Sequence, residues 1–194
     1  GIPYFYRKFG YEYVLDLEGS RTIPPTAVPD KENDDAEPYR LRLAEIDDVP
    51  ELMKLYNQER DASLVWNDAP ANVWEQMIYS WEDPHVQQES AARVCLITRL
   101  YMIVDSAGTT VGYCRLAAKR WRSNLEIFEL QLEHGRNWQQ ILPCLLRLLR
   151  TYGENLPTIE GNTKAYTGIC FNLGRTHPVY AILGNTIASI NEPP

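Results

Sequence analysis

Residues 6–17 read YRKFGYEYVLDL and residues 180–190 read YAILGNTIASI. Each stretch opens on a tyrosine, runs through two variable residues and an apolar one to a glycine, and continues into an extended-looking segment. An aromatic helix turn stopped by glycine and followed by such a segment reads as the closing helix and last strand of an α/β unit. The two copies are offset by 174 residues (180 − 6), which is one domain plus a spacer. The chain therefore opens on what reads as an ending and carries a second one at its other end.

Between the copies lies RTIPPTAVPDKENDDAEPY, residues 21–39. Pro24, Pro25, Pro29 and Pro38 hold the backbone out of helix, and Asp30 to Glu37 carries five acids against one lysine. This composition predicts a linker. The expected organisation is residues 1–23 as the C-terminal tail of a preceding domain, 24–38 as linker, and 39–194 as one domain. A chain of 194 residues with 44% apolar residues can bury one substantial core but not two.

Within 39–194 the patterning gives an element order. YRLRL (39–43) alternates as a strand, and IDDVPELMKLYNQER (46–60) supplies acids and Pro50 at a helix start. NVWEQMIYSW (72–81) reads as a second helix, and Arg99 to Lys119 as a hairpin turning at Ser106–Gly108. NLEIFELQLE (124–133) is a further strand, where strict alternation puts Ile127, Glu129 and Gln131 on one face and Phe128, Leu130 and Leu132 on the other. QQILPCLLRLLRTYG (139–153) stacks Leu142, Leu145, Leu146 and Leu149, with regular helix expected from Gln140 because of Pro143, and a stop at Gly153. A short strand is expected in 158–164, and a last helix and strand in 176–190.

This order, with the repeated Tyr-x-x-apolar-Gly motif, resembles the GNAT N-acetyltransferase superfamily, and the resemblance extends over nearly all of 39–194. It implies an α/β (α+β) fold: a mixed, mainly antiparallel sheet flanked by helices, with central strands that splay to admit acetyl-CoA. The whole would then be the C-terminal portion of a tandem GNAT protein. The resemblance implies acetyl transfer from acetyl-CoA to an amine, with Tyr180 as the acid for the departing thiolate. Tyr6 would hold the same place in the preceding domain. Glu129, read as lying among apolar neighbours, is the candidate base, because desolvation raises a carboxyl toward a useful pKa.

The cofactor-facing set implied is Leu130, Leu132, His134, Gly135, Arg136, Asn137 and Trp138. Here the chain departs from the family, which places a glycine-rich turn before the helix so that backbone N–H groups receive the pyrophosphate. EHGRNWQQILP (133–143) keeps Gly135 alone. Two readings follow: an acetyl-CoA-dependent N-acetyltransferase, or a non-catalytic GNAT-like domain that has lost CoA binding and serves as an interface or substrate wall for a catalytic domain.

Charge and composition narrow the partners. A net charge of −7 provides no basic field for nucleic acid or an anionic membrane, and leaves a small-molecule or peptide amine as the compatible substrate. Arg7 and Lys8 follow rather than precede any apolar run, so a cytoplasmic location is expected. Cys95, Cys114, Cys144 and Cys170 stand 19 or more residues apart with no paired spacing, which reads as buried thiols and no metal. His177 precedes Pro178 and is read as helping to start the last helix. The aromatic tail Gly1–Ser20 is expected to dock on 39–194 of its own chain or, making a homo-oligomer, of a neighbour.

Overall fold

The structure is a computed structural model describing residues 5, 7–10, 19–31, 33–63, 65–84, 97–159 and 161–191. Its centre is an antiparallel trio, β3 (Thr98–Asp105), β4 (Thr110–Ala117) and β5 (Asn124–Leu132). Asp105 shapes the β3–β4 turn, its Oδ1 accepting from the Ala107 and Thr109 amides at 3.0 and 2.8 Å. With β1 (Ser20–Ile23), β2 (Tyr39–Leu43), β6 (Gly168–Phe171) and β7 (Ser189–Asn191), the sheet order is β2-β3-β4-β5-β6-β1-β7. Only β5 and β6 run parallel. This is a mixed, mainly antiparallel sheet flanked by helices, as expected. Among the described residues no helix is long and apolar enough to cross a membrane.

Helices α1 (Val49–Asn57) and α2 (Ala71–Tyr79) cover one face, burying Leu52, Leu55 and Trp74 against Leu100, Met102, Val104 and Tyr113. Helix α3 (Trp138–Asn155) and the short α4 (Pro178–Leu183) cover the other, over Leu116, Leu125, Ile127, Ile169 and Phe171.

Four expectations are corrected. Residues 20–28, divided in the sequence between tail and linker, belong to this sheet and core. Ser20–Ile23 pairs antiparallel with β6 on one side and β7 on the other, and Ile23 and Val28 are buried with the α3 face. The polar, proline-rich context hid a four-residue strand whose only large apolar residue is Ile23. Of the aromatic tail, residues 1–4, 6 and 11–18, including Tyr6 and the YEYVLDL run, lie outside the described residues.

The β5 alternation also breaks. The β4–β5 register shifts so that Arg115 pairs with Glu129 but Leu116 with Ile127, leaving Phe128 as the extra residue of a bulge. Ile127 thereby joins Leu130 and Leu132 in the core, at 0, 3 and 3% exposure, while Glu129 and Gln131 turn to the other face. Strict period two would have forced one of these two groups onto the wrong side.

Helix α3 starts at Trp138 rather than Gln140 and runs through Gly153 to Asn155. The Asn137 side chain accepts from the Gln139 amide at 2.9 Å and caps it. Pro143 inside the helix costs about 3 kcal/mol. Burial of Ile141, Leu142, Leu145, Leu146 and Leu149, at roughly 1.5–3 kcal/mol each, outweighs it. Gly153 is needed for close approach rather than as a stop, since a Cβ there would stand 2.7 Å from the Tyr166 ring and 3.0 Å from Leu125.

Finally, 158–159 and 161–164 are loop, held by one bridge between Arg120 and Thr158 and by Asn162 donating to the Arg120 and Arg122 carbonyls. The strand lies instead at GICF, all four residues buried, a run apolar on both faces and so without alternation.

The expected linker is also tied at its far end. Arg147 of α3 donates from Nε and from a terminal nitrogen to the two Glu37 carboxylate oxygens, at 2.7 and 2.8 Å. The Arg147 hydrogen bonds hold Glu37 at about 2, below its ordinary 4.5, so the pair contributes above about pH 4.5 and is lost as pH falls toward 2. A Glu37→Gln/Arg147→Met double-mutant cycle is expected to give a coupling of about 0.5–1 kcal/mol at pH 7, shrinking toward zero near pH 2.

Candidate functional site

Parallel pairing of β5 with β6 extends from Asn124–Gly168 to Ile127–Phe171 and stops there. The Asn172 amide still donates to the Ile127 carbonyl at 2.8 Å, and its side chain to Glu126 at 2.8 Å. Beyond this point β5 bulges at Phe128 while the other chain leaves for α4. A cleft opens between them, walled by Leu130, Gln131 and Leu132 on one side and Leu173, Gly174 and His177 on the other. Its outer rim is the C-terminal end of α1, with Tyr56, Glu59 and Trp66.

Tyr180 stands behind His177, their ring centres 6.1 Å apart. Its hydroxyl donates to the Phe171 carbonyl at 3.0 Å and accepts from the Leu173 amide at 3.2 Å, pinning the turn that separates the strands. Arg21 of β1 stands 5.5 Å from the centre of its ring. The proton that a thiolate would need is thus directed to a backbone carbonyl.

His177 spans the cleft. Its Nδ1 accepts from the Val179 amide at 3.2 Å, starting α4 as the sequence suggested, so its proton resides on Nε2 and is donated to the Leu130 carbonyl at 2.8 Å. Burial lowers its pKa and keeps the ring neutral. Trp138 packs edge-on against it at 5.2 Å. The Leu130 carbonyl, an acceptor that the splayed strand would offer to an incoming amide, is therefore occupied from within the chain, while the Leu130 and Leu132 side chains are buried in the core.

Glu129 lines the cleft but not among apolar neighbours. Its Oε1 accepts from Arg115 Nε at 2.8 Å and its Oε2 from the Tyr113 hydroxyl at 3.0 Å. The regular β4–β5 register, unbroken from the Gly112–Leu132 pair, places it opposite Arg115, so a guanidinium stands against its carboxylate. Tyr113 carries the burial instead, and desolvation with the neighbouring Glu129 charge drives its hydroxyl well above the usual phenol range.

The loop from Glu133 to Trp138 is clamped by α1. The His134 amide donates to Gln58 at 2.7 Å, and Glu59 Oε1 accepts from Gln131 at 3.0 Å and lies 3.1 Å from His134 Nε2. Arg136 folds back on Glu133 at 2.9 Å, holding that carboxyl below its usual range, and Lys54 reaches Glu133 at 3.5 Å. Gly135 makes the turn at φ +86°. The amides of His134, Arg136 and Gln139 already have acceptors.

The cofactor expectation thus meets its test in the donor set. A pyrophosphate wants free N–H groups and positive charge. This loop presents Glu59 and Glu133 carboxylates, an arginine already paired, and amides of His134, Arg136 and Gln139 that already have acceptors, while the strand's carbonyl is held by His177. The two carboxylates and the held carbonyl oppose an anionic cofactor at this loop.

Glu129, Leu130, Leu132, His134, Gly135, Arg136 and Trp138 line this cleft, Asn137 caps the helix beside it, and Tyr180 stands behind His177, their ring centres 6.1 Å apart. Missed were Gln58, Glu59, Trp66 and the bridging role of His177. Contacts such as Glu59 to His134, 75 residues apart, leave no periodic or spacing signal.

In comparison with known proteins, no protein-family model matches the chain and no curated protein matches it in sequence. Solved structures do match. A conserved Enterococcus faecalis V583 protein of unknown function, described as a probable N-acyltransferase, superimposes with a TM-score of 0.58 at 15% identity, covering 99% of this chain and 41% of that one. A Drosophila protein gives 0.50 at 11% identity, covering 98% and 54%. The chain thus spans about half or less of the length of these two. Spermidine N-acetyltransferase from Vibrio cholerae, solved with CoA and spermine, gives 0.43 at 17% identity over 62% of this chain and 68% of that one. The fold is that of the GNAT N-acetyltransferases.

Proposed function

We propose that this chain is a non-catalytic GNAT-fold domain of an N-acetyltransferase-type protein, one that does not bind CoA and forms an interface or substrate wall for a catalytic unit. The observation that carries this reading is the internal occupation of the cleft: His177 on the Leu130 carbonyl, and Gln58, Glu59 and Glu133 around the loop before α3. An anionic cofactor entering there would have to displace a buried hydrogen bond and sit beside two carboxylates, and both cost free energy. A tandem partner domain is part of the same proposal, with residues 20–28 counted in this domain.

Rebuilding the loop tests it. Replacing Arg136, Asn137 and Trp138 with glycine, together with Glu59→Gln and His177→Ala, is expected to create measurable CoA affinity where the unaltered chain has none. Equal affinity in both proteins contradicts the reading.

The second reading, an acetyl-CoA-dependent transferase acting on a small-molecule or peptide amine, is favoured by one observation. Glu129, the candidate base, lines the cleft, and Tyr180, the candidate acid, stands behind the His177 ring on its wall. It requires Tyr180 to leave Phe171 and His177 to leave Leu130.

A further inference from the structure

The outer half of the cleft gathers four aromatic residues, Tyr56, Trp66, Tyr113 and Phe128, and two carboxylates, Glu59 and Glu129. The rings are fixed in place. Tyr56 and Trp66 lie with centroids 4.5 Å apart, Tyr56 donates to the Asn67 carbonyl at 3.0 Å, and Trp66 donates to Asn57 at 3.3 Å. Behind them Trp74 meets both Tyr56 and Tyr113 edge-on, at 5.3 and 5.9 Å. A loop tryptophan braced in this way gives a pre-organised wall, not a side chain that must be ordered on binding.

Beside Phe128 and Glu129 this group of residues already holds a cation of the chain's own. Arg115 lies 5.4 Å from the Phe128 ring centre and is paired with Glu129 at 2.8 Å, so one aromatic face and one carboxylate together accommodate a guanidinium. The outer end repeats the combination with Trp66 and Glu59. Here the only ion pair of Glu59 among the described residues is with His134, a group that carries charge only when protonated.

From this repetition we propose that the outer end, between Trp66 and Glu59, binds a fully alkylated, quaternary ammonium group. This rests on the reading of the domain as a substrate wall. Such a cation cannot be acetylated at its charged nitrogen, so it would be held here and not consumed. A primary ammonium loses strong hydration and demands up to three acceptors, whereas Glu59 has Oε1 engaged by Gln131 and offers Oε2 alone, and Glu129 accepts from Arg115 and Tyr113. A quaternary ammonium needs only a ring face and nearby negative charge, which is what this end offers.

The test is calorimetric titration of the full chain with choline and with its neutral isostere 3,3-dimethyl-1-butanol at pH 8, reading the Trp66 indole resonance by NMR in parallel. Saturable choline binding with a shift at Trp66, roughly tenfold weaker for the isostere and for each of Trp66→Leu and Glu59→Gln, is the expected result. Glu59→Gln is a surface change, so it remains informative if Trp66→Leu fails to fold. Equal binding of the isostere, choline binding untouched by Glu59→Gln, or no saturable binding overturns the proposal. None of these outcomes bears on the closed cleft, which is judged by acetyl-CoA binding alone.

Discussion

Deletion of residues 1–23 abolishes cooperative unfolding of the chain. The expectation follows from where β1 lies. It is not an appended edge but the strand between β6 and β7, with Arg21, Thr22 and Ile23 facing Phe171, Cys170 and Ile169, and Ser20, Arg21 and Thr22 facing Asn191, Ile190 and Ser189. Without it β7 has no partner, β6 presents an open edge, and the α3 core loses Ile23, which is fully buried. Emptying a site like that of Ile23 alone costs about 2–5 kcal/mol, set against a typical total stability of about 5–15 kcal/mol. Loss of two ladders comes on top. Gly168 records how closely the strands approach: a Cβ there would lie 2.1 Å from the Ile23 carbonyl oxygen. Urea denaturation followed by tryptophan fluorescence checks this, with Ile23→Asp as a point-substitution counterpart. A chain beginning at residue 24 that unfolds with the same midpoint as the full one would show that residues 20–23 are dispensable, as a detached tail would be.

His177→Ala is expected to destabilise the chain by about 1–3 kcal/mol, because it removes the cap on the Val179 amide and leaves the Leu130 carbonyl without its donor. It also changes the pH dependence. Burial lowers the His177 pKa relative to its ordinary value of 6.5. The unfolded chain therefore takes up the proton first as pH falls, so the stabilisation is complete above about pH 6.5 and is lost as pH drops through the lower folded value. The groups around the ring are Trp138, Tyr180 and, at longer range, Glu59. Denaturation midpoints compared between pH 8 and pH 5 should converge for the two proteins at the acid end. A constant gap across that range would mean that the ring is not held neutral between Leu130 and Val179.

Long periodic elements were legible in the sequence. The α3 stripe of Leu142, Leu145, Leu146 and Leu149, the Asp105–Thr110 hairpin turn and the alternating YRLRL strand each repeat a simple geometric period, and the structure places all three as expected. What escaped had no period. Ser20–Ile23 carries one large apolar residue, GICF is buried on both faces, and the bulge at Phe128 shifts phase by one residue in mid-strand. The site followed the same division. The loop's missing glycines were visible, since they are a matter of residue type. Its clamping by Gln58 and Glu59 depends on the end of α1 arriving there in space, and the pairing of Glu129 with Arg115 depends on the cross-strand register of β4 with β5, which alternation within one strand does not report.

The closed cleft is the central claim, and titrating the unaltered chain with acetyl-CoA, alongside CoA, by calorimetry tests it most directly. The account predicts no saturable heat up to millimolar ligand. Micromolar binding that protects the Leu130–Trp138 segment from amide exchange would contradict it, and would return Tyr180 and Glu129 to the roles of acid and base.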